Sequence, residues 1–461
     1  MGTVGISFGS PTTGGGFDVS ATVNQIVANL QNVESPWKTQ LTTLQGQDTV
    51  ISSLGSLLST LSTDIGNLTD FQGVLAGKQG SSSNTGVLAL TSASSVAIAG
   101  THTVIVNSLA ATSSTYLDAI TNAGDTLSGS LTVQVGNGTA HTITIGANDN
   151  TLAKLSAEIN AAGIGISASV LTDTQGSRLS LVSGTSGSSG NLTIGSSVLD
   201  VTTSTSLSNH SANAGADASL TVDGVSILSS SNTVSTVIPG VTFQLLATSK
   251  VTNGTAENIQ VQILNDNASV VNSVTQLVSD FNAVAKAMSE QESNTSSGAP
   301  QPLFGTPTLT LLQEQLVGAI NTTNTQGDIP SLTNLGLSLN NDGTLTLDTN
   351  ALNSELNADY SGVVSFFQNS NSWGVDFSRT LKNLGTSSVT GALALAQSSN
   401  RAIEIALNKN VADQERSIAT QKTSLTMELT MANETLQAIP SNLNNVSQLY
   451  SAITGYQAPR F

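Results

Sequence analysis

Residues 425–453 read LTMELTMANETLQAIPSNLNNVSQLYSAI, and this stretch decides the architecture. Leu425, Leu429, Ala432, Leu436, Ile439, Leu443, Val446, Tyr450 and Ile453 recur at alternating steps of four and three, and Val411 and Ile418 extend the pattern upstream. This is heptad spacing, and a helix that carries such a seam has to cover it with another helix. Pro440 lies inside the pattern. It is expected to kink or break the helix, because proline offers no N–H and its ring crowds the carbonyl four residues back.

The opposite end of the chain mirrors this pattern. Val19, Val23, Ile26, Val27, Leu30 and Val33 form a helical apolar stripe, which Pro36 interrupts. A second stripe then runs Trp37, Leu41, Leu44, Ile51, Leu54, Leu58, Leu61, Ile65 and Leu68, with a three-residue stammer between Ile51 and Leu54. A helix from 37 to 71 would be about 50 Å long. Matching seams at both ends imply that the termini pair with each other or with neighbouring subunits.

Between roughly Gly86 and Ile263 the period changes to two. THTVIV, LTVQV, HTITI, ISASV, RLSLV and VTFQLL are short β-branched runs set between Gly, Ser and Asn clusters, which predicts antiparallel sheet. Asp223-Gly224 and Asp342-Gly343 are turn dipeptides between strand-like runs. One helix interrupts the sheet region at TLAKLSAEIN, with Leu152, Leu155 and Ile159 on one face and Asn150 as the expected N-cap. Helical spacing resumes at Ala268–Glu292 through Val271, Val274, Leu277, Val278, Phe281 and Val284. The fold class is therefore α+β: terminal coiled-coil or bundle helices flank inserted antiparallel β-rich domains in an elongated multi-domain chain.

Composition excludes several functions. Only 9% of the 461 residues are charged, and 30 acids against 13 bases leave a net charge of −17. No Lys or Arg lies between Lys78 and Lys154. Nucleic-acid binding needs a basic stripe to displace counterions, and an anionic membrane surface needs the same. Cysteine is absent, which rules out disulfides and thiolate chemistry. The opening MGTVGISFGSPTTGGGFDV has neither a basic n-region nor an apolar h-region, so no cleaved Sec signal is expected. No apolar run is long enough to span a membrane.

No pattern points to catalysis. His102, His141 and His210 are far apart in or beside strand-like runs, and without cysteine they make a poor metal set. Gly163-x-Gly165 follows a helix and precedes a strand, the reverse of a dinucleotide loop. Asn340-Asn341-Asp342-Gly343 lacks the carboxylate ladder of a calcium loop. Aromatics make up 3% of the chain, too few for a carbohydrate cleft lined with rings. The expectation is a non-enzyme with no cofactor and no metal.

Several stretches resemble the flagellar filament-capping family, also called hook-associated protein 2 or FliD. Gly16-Phe17-Asp18-Val19 with the helix to Glu34 and Pro36 resembles the family's opening, and Ala99-Gly100 with Val104, Val106, Leu109 and Ala110 resembles its entry into the β region. Residues 151–183, TLAKLSAEINAAGIGISASVLTDTQGSRLSLVS, are similar to a helix–strand–strand module shared with flagellins. LTVDGVSILSSSNTVSTVIPGVTFQL (220–245) and SLTNLGLSLNNDGTLTLD (331–348) resemble the family's C-terminal half, including Ile238-Pro239-Gly240. Two departures are visible: the C-terminal helix is rich in Asn, Ser and Thr where the family is charged, and Phe281-Asn282 stands where Tyr-Asn is common.

The resemblance implies a structural cap at the distal tip of the bacterial flagellum. Such a cap promotes insertion and polymerisation of exported flagellin and prevents its leakage, with adhesion at the tip as a further role. It implies a homo-oligomeric ring, most familiarly a pentamer, whose partners are flagellin, hook–filament junction proteins and an export chaperone. The protein would be secreted by the flagellar type III route. Another flagellar axial subunit, flagellin-like or hook-associated, or a tip adhesin, is the competing reading. The expected domains are terminal legs at 1–40 and 425–461, mobile when free, and a helical domain at 41–85 and 264–424. A β domain is expected at 86–110 and 216–263, and a second β-rich domain, with the flagellin-like module, at 111–215. Leu425, Leu429, Leu436, Ile439, Leu443, Val446, Val23, Ile26 and Leu30 are the candidate contacts to other subunits or the filament.

Overall fold

The computed structural model describes residues 15–148, 150–323 and 327–455. The expected legs at 1–40 and 425–461 lie partly outside these residues, at 1–14 and 456–461. The chain divides into two compact units, one made of residues up to Thr69 and from Ser273 on, the other of Asp70–Asn272.

The first unit is helical. It holds α1 (Val19–Gln31), α2 (Ser35–Thr69) and most of α4 (Asn267–Gln291). It then adds α5 (Pro307–Ile320), α6 (Thr349–Ala358), α7 (Tyr360–Gln368), α8 (Trp373–Leu384) and α9 (Ala392–Thr454). The heptad stripe of α2 packs as its spacing requires: Ile51, Leu54, Leu58, Leu61, Ile65 and Leu68 are all buried. An aromatic stack that periodicity does not reveal holds α7 against α8. Trp373 lies between Phe366 and Phe377 with ring centres 5.4 and 4.9 Å away, and its Nε1 donates to the Ala319 carbonyl at 3.0 Å.

The expected breaks in the helices fall differently in the structure. The interruption between the two N-terminal stripes is present as the 3-10 turn Asn32–Glu34, just before Pro36, which itself occupies the first turn of α2, where its missing N–H costs nothing. Pro440 does not break α9, which runs through it and gives up one intrahelical bond to Leu436. Both α2 and α9 are continuous across the boundaries expected at 40/41 and 424/425.

The second unit is antiparallel sheet around two hydrophobic cores. One core includes Val104, Val106, Leu220, Phe243, Val261 and Ile263. The other includes Leu117, Leu131, Val133, Leu179 and Leu181, covered by α3 (Leu152–Ala161) through Leu152, Leu155 and Ile159. Thr151, not Asn150, caps α3, its hydroxyl accepting from the Lys154 N–H. Ser156 and Asn160 of α3 donate to the Ala168 carbonyl, both at 2.8 Å, which ties the helix to the strand hairpin 166–186 that follows it. Sheet begins at Lys78, earlier than the period-two pattern indicates, because Lys78–Ser82 pairs with Ile259–Asn265 despite its Gly-Ser sequence.

Both turn dipeptides are hairpin turns. Asp223 (φ 50°) and Gly224 (φ 84°) link strands Ala218–Val222 and Val225–Ser229, and Asp342-Gly343 lies between Leu337–Leu339 and Leu345–Leu347. Gly240 of the Ile-Pro-Gly motif has φ 76°, and a Cβ there would come within 2.7 Å of the Ala97 nitrogen. Only glycine fits that combination of backbone angle and close approach.

Candidate assembly surface

The seam of α9 is occupied for part of its length by α1 of the same chain. Val23, Val27 and Ile418 form a buried cluster, with Val19, Leu30, Leu425 and Leu429 packed against it. Asp18 caps α1 by accepting from the Ala21 N–H at 2.9 Å, and the Phe17 N–H donates to Asn433 Oδ1 at 2.8 Å. A second cluster, Leu41, Leu44 and Leu407 with Trp37 and Val411, fixes α2 on α9. Of the two pairings left open by the sequence, the one within the chain is therefore present.

The candidate contact residues separate into three groups. Val23 is buried, and Leu30, Leu425 and Leu429 pack in the α1–α9 contact. Ile26, Leu436 and Ile439 are half-buried. Leu443 and Val446 are 54% and 63% exposed, and the open face continues through Leu449, Tyr450 and Ile453. Val27 and Ile418 form the centre of the pairing but were not among the candidates. The heptad step from Leu425 back to Ile418 and the step of four from Val23 to Val27 were the signals that could have found them.

Charge divides α9 in the same way. Upstream, Asp413 pairs with Lys409 at 3.1 Å and with Arg416, and these cations, Lys409 foremost, hold its carboxyl below the usual range. From Thr435 to Gly455 there is no charged residue. The open half of the seam thus combines exposed apolar side chains with no charge, a surface suited to burial against another helix rather than to permanent solvation.

In the β unit the histidines act as pins. His102 Nδ1 lies 2.7 Å from Asp223 Oδ2, while Asp223 Oδ1 accepts from the Thr103 N–H at 2.8 Å. His210 Nε2 lies 2.7 Å from Asp118 Oδ1 and stacks on Tyr116, and Asp118 also accepts from the Ser208 N–H. Both carboxyls are held below their usual value, first by the histidine and then by the backbone N–H. His141, at the start of a strand, is exposed. Among the described residues no group of three or more His, Cys, Asp or Glu side chains is arranged to hold a metal ion. No helix among them is long and apolar enough to cross a membrane.

The terminal helices pair with each other and leave the end of the α9 seam open, and antiparallel sheet is inserted between them in the chain. The chain belongs to the flagellar hook-associated protein 2 family, the filament-cap family of the bacterial flagellum: the models of the family's N-terminus and C-terminus match residues 15–113 and 215–452. It is 32% identical over 393 residues to the B-type flagellar hook-associated protein 2 of Pseudomonas aeruginosa strain PAO1, covering 79% of this chain and 80% of that protein. It is 27% identical over 376 residues to flagellar hook-associated protein 2 of Escherichia coli K12, covering 77% and 79%. The fold is similar to the crystal structure of the D1-D2-D3 domains of the Escherichia coli flagellar cap protein FliD, with a TM-score of 0.59 and 24% identity over 76% of this chain and 99% of that one. The family's role is that of a structural cap.

Proposed function

We propose that this chain caps the distal end of the flagellar filament, where it promotes insertion of exported flagellin and prevents its leakage. The observation that carries this reading is the charge-free seam Leu443–Ile453, left open where the α1–α9 pairing ends. Leu443 and Val446 contact neighbouring subunits or the filament end, whereas Leu425, Leu429, Val23 and Leu30 hold the terminal helices together. Ile26, Leu436 and Ile439 lie between these two roles. The subunits form a closed ring, a pentamer by the resemblance, which requires head-to-tail contacts between unlike faces. The chain leaves the cell through the flagellar type III channel with an export chaperone and meets hook–filament junction proteins before flagellin arrives.

Complementation of a cap-deficient strain tests this function. Restored filaments and loss of flagellin from the medium are the expected result. Leaked flagellin in the presence of exported protein would overturn it. Negative-stain imaging of the purified protein separates the competing axial-subunit reading, since a flagellin-like subunit would form helical filaments rather than closed rings.

A further inference from the structure

Glu34 lies in the three-residue 3-10 turn Asn32–Glu34 that joins α1 to α2, and it is 1% exposed. Its Oε2 accepts from Lys38 Nζ at 2.7 Å, and the same ammonium lies 3.5 Å from Glu415 on α9. Its other oxygen, Oε1, is buried without a hydrogen-bond partner. A buried carboxylate needs its lone pairs satisfied, and one half-exposed lysine shared with a second carboxylate does not achieve that. The packing on both sides of this polar layer is apolar: Val23, Val27 and Ile418 on the α1 side, Leu41, Leu44 and Leu407 on the α2 side.

We propose that Glu34 is a built-in weak point that makes α1 a releasable strap on α9. Closing α1 over α9 keeps Glu34 dehydrated, and lifting α1 returns that carboxylate to water and recovers part of the desolvation cost. The rest of the strap is small, since α1 brings Val23 and Val27 to its buried cluster with Ile418 of α9, whereas α2 is anchored by the buried residues Ile51, Leu54, Leu58, Leu61, Ile65 and Leu68. Opening at the 3-10 turn therefore leaves α2 in place. Release exposes Ile418, Leu425 and Leu429 and extends the open seam of α9 upstream from Leu443. The proposal concerns the strength of the α1–α9 contact and stands whether or not the chain caps a filament.

Amide hydrogen exchange on the full chain tests it, with residues 51–68 of α2 as internal reference. Residues 19–31 should exchange faster than the reference. In Glu34→Met, exchange of α1 should slow about tenfold, since an apolar side chain in place of a poorly satisfied buried ion usually stabilises. In Lys38→Met, which removes the nearest cation, exchange of α1 should quicken about tenfold with the reference unchanged. Unchanged or faster α1 exchange in Glu34→Met would overturn the proposal, because the ion pair would then be a net clamp. Unchanged exchange in Lys38→Met would also overturn it. If Glu34→Met lowered protection across α2 as well, Glu34→Gln, which removes the charge and keeps the shape, replaces it: slower α1 exchange would support the proposal, and unchanged or faster exchange would overturn it.

Discussion

Asp64 on α2 neighbours Asp280 on α4, Gln276 Nε2 donates to Asp280 Oδ2 at 2.8 Å, and Asp64 Oδ2 is buried without a hydrogen-bond partner. Burial first, and then the hydrogen bond and charge of Asp280, push the Asp64 carboxyl up to about 6. Two carboxyl groups bond to each other only when one keeps its proton, so this contact is favourable in acid and repulsive once both ionise. The folded chain binds this proton more tightly than the unfolded chain. The stability from the pair is fully present below pH 4 and is lost as pH rises to about 6. Asp64→Asn should raise the unfolding free energy of the helical unit at pH 7 by about 1 kcal/mol after solvent screening, and its thermal midpoint with it, and leave both unchanged at pH 4. Calorimetry of both chains at the two pH values measures the difference.

The two His–Asp pins have the opposite sign. Asp223 and Asp118 are held below their ordinary values, so their stabilising bonds exist above pH 4 and fade as pH falls below it. Asp118→Ala removes the acceptor of both the Ser208 N–H and His210 and should lower β-unit stability by about 1 kcal/mol at pH 7, with little effect near pH 2. Urea titration of the isolated β unit reads this directly.

The β unit should fold alone only when Lys78–Ser82 is included. That strand pairs residue for residue with Val261–Asn265, whose Val261 and Ile263 belong to the buried core. A fragment of residues 86–263 leaves this core strand with a bare edge, which destabilises it and invites aggregation. Residues 70–272 should give a β-type circular dichroism spectrum and one cooperative melt. The 86–263 fragment should melt lower or precipitate.

Two aspartate substitutions on one seam should behave differently. Leu429→Asp sets a charge in the α1–α9 contact and should detach α1, at a cost of several kcal/mol, in addition to any effect on assembly. Leu443→Asp changes an exposed side chain and should leave the helical melt within about 0.5 kcal/mol of the parent. Even so, cells that export Leu443→Asp at the parental level should release flagellin and grow short filaments. Parental filament length would remove Leu443 from the anchoring surface.

Local spacing determined the helices, the strands and the existence of a terminal seam, because burying one face of a helix or strand forces apolar residues into its period. It located α2 and α9 through Ile51–Leu68 and Leu425–Ile453, and the hairpins through Asp223-Gly224 and Asp342-Gly343. It could not state what covers the seam. Val23, Val27 and Leu30 have the same spacing whether their partner is α9 of this chain or a helix of another, and only the packed structure places them on Ile418, Leu425 and Leu429. The strand Lys78–Ser82 was hidden for a related reason: its Gly-Ser sequence carries no β signal, and the exposed edge of Ile259–Asn265 imposes the conformation. Pro440 lies inside α9 without ending it, since a long helix on either side tolerates one lost hydrogen bond. Glu34, an ordinary surface residue type in sequence, is a buried carboxylate in the turn between α1 and α2, a fact that no period records.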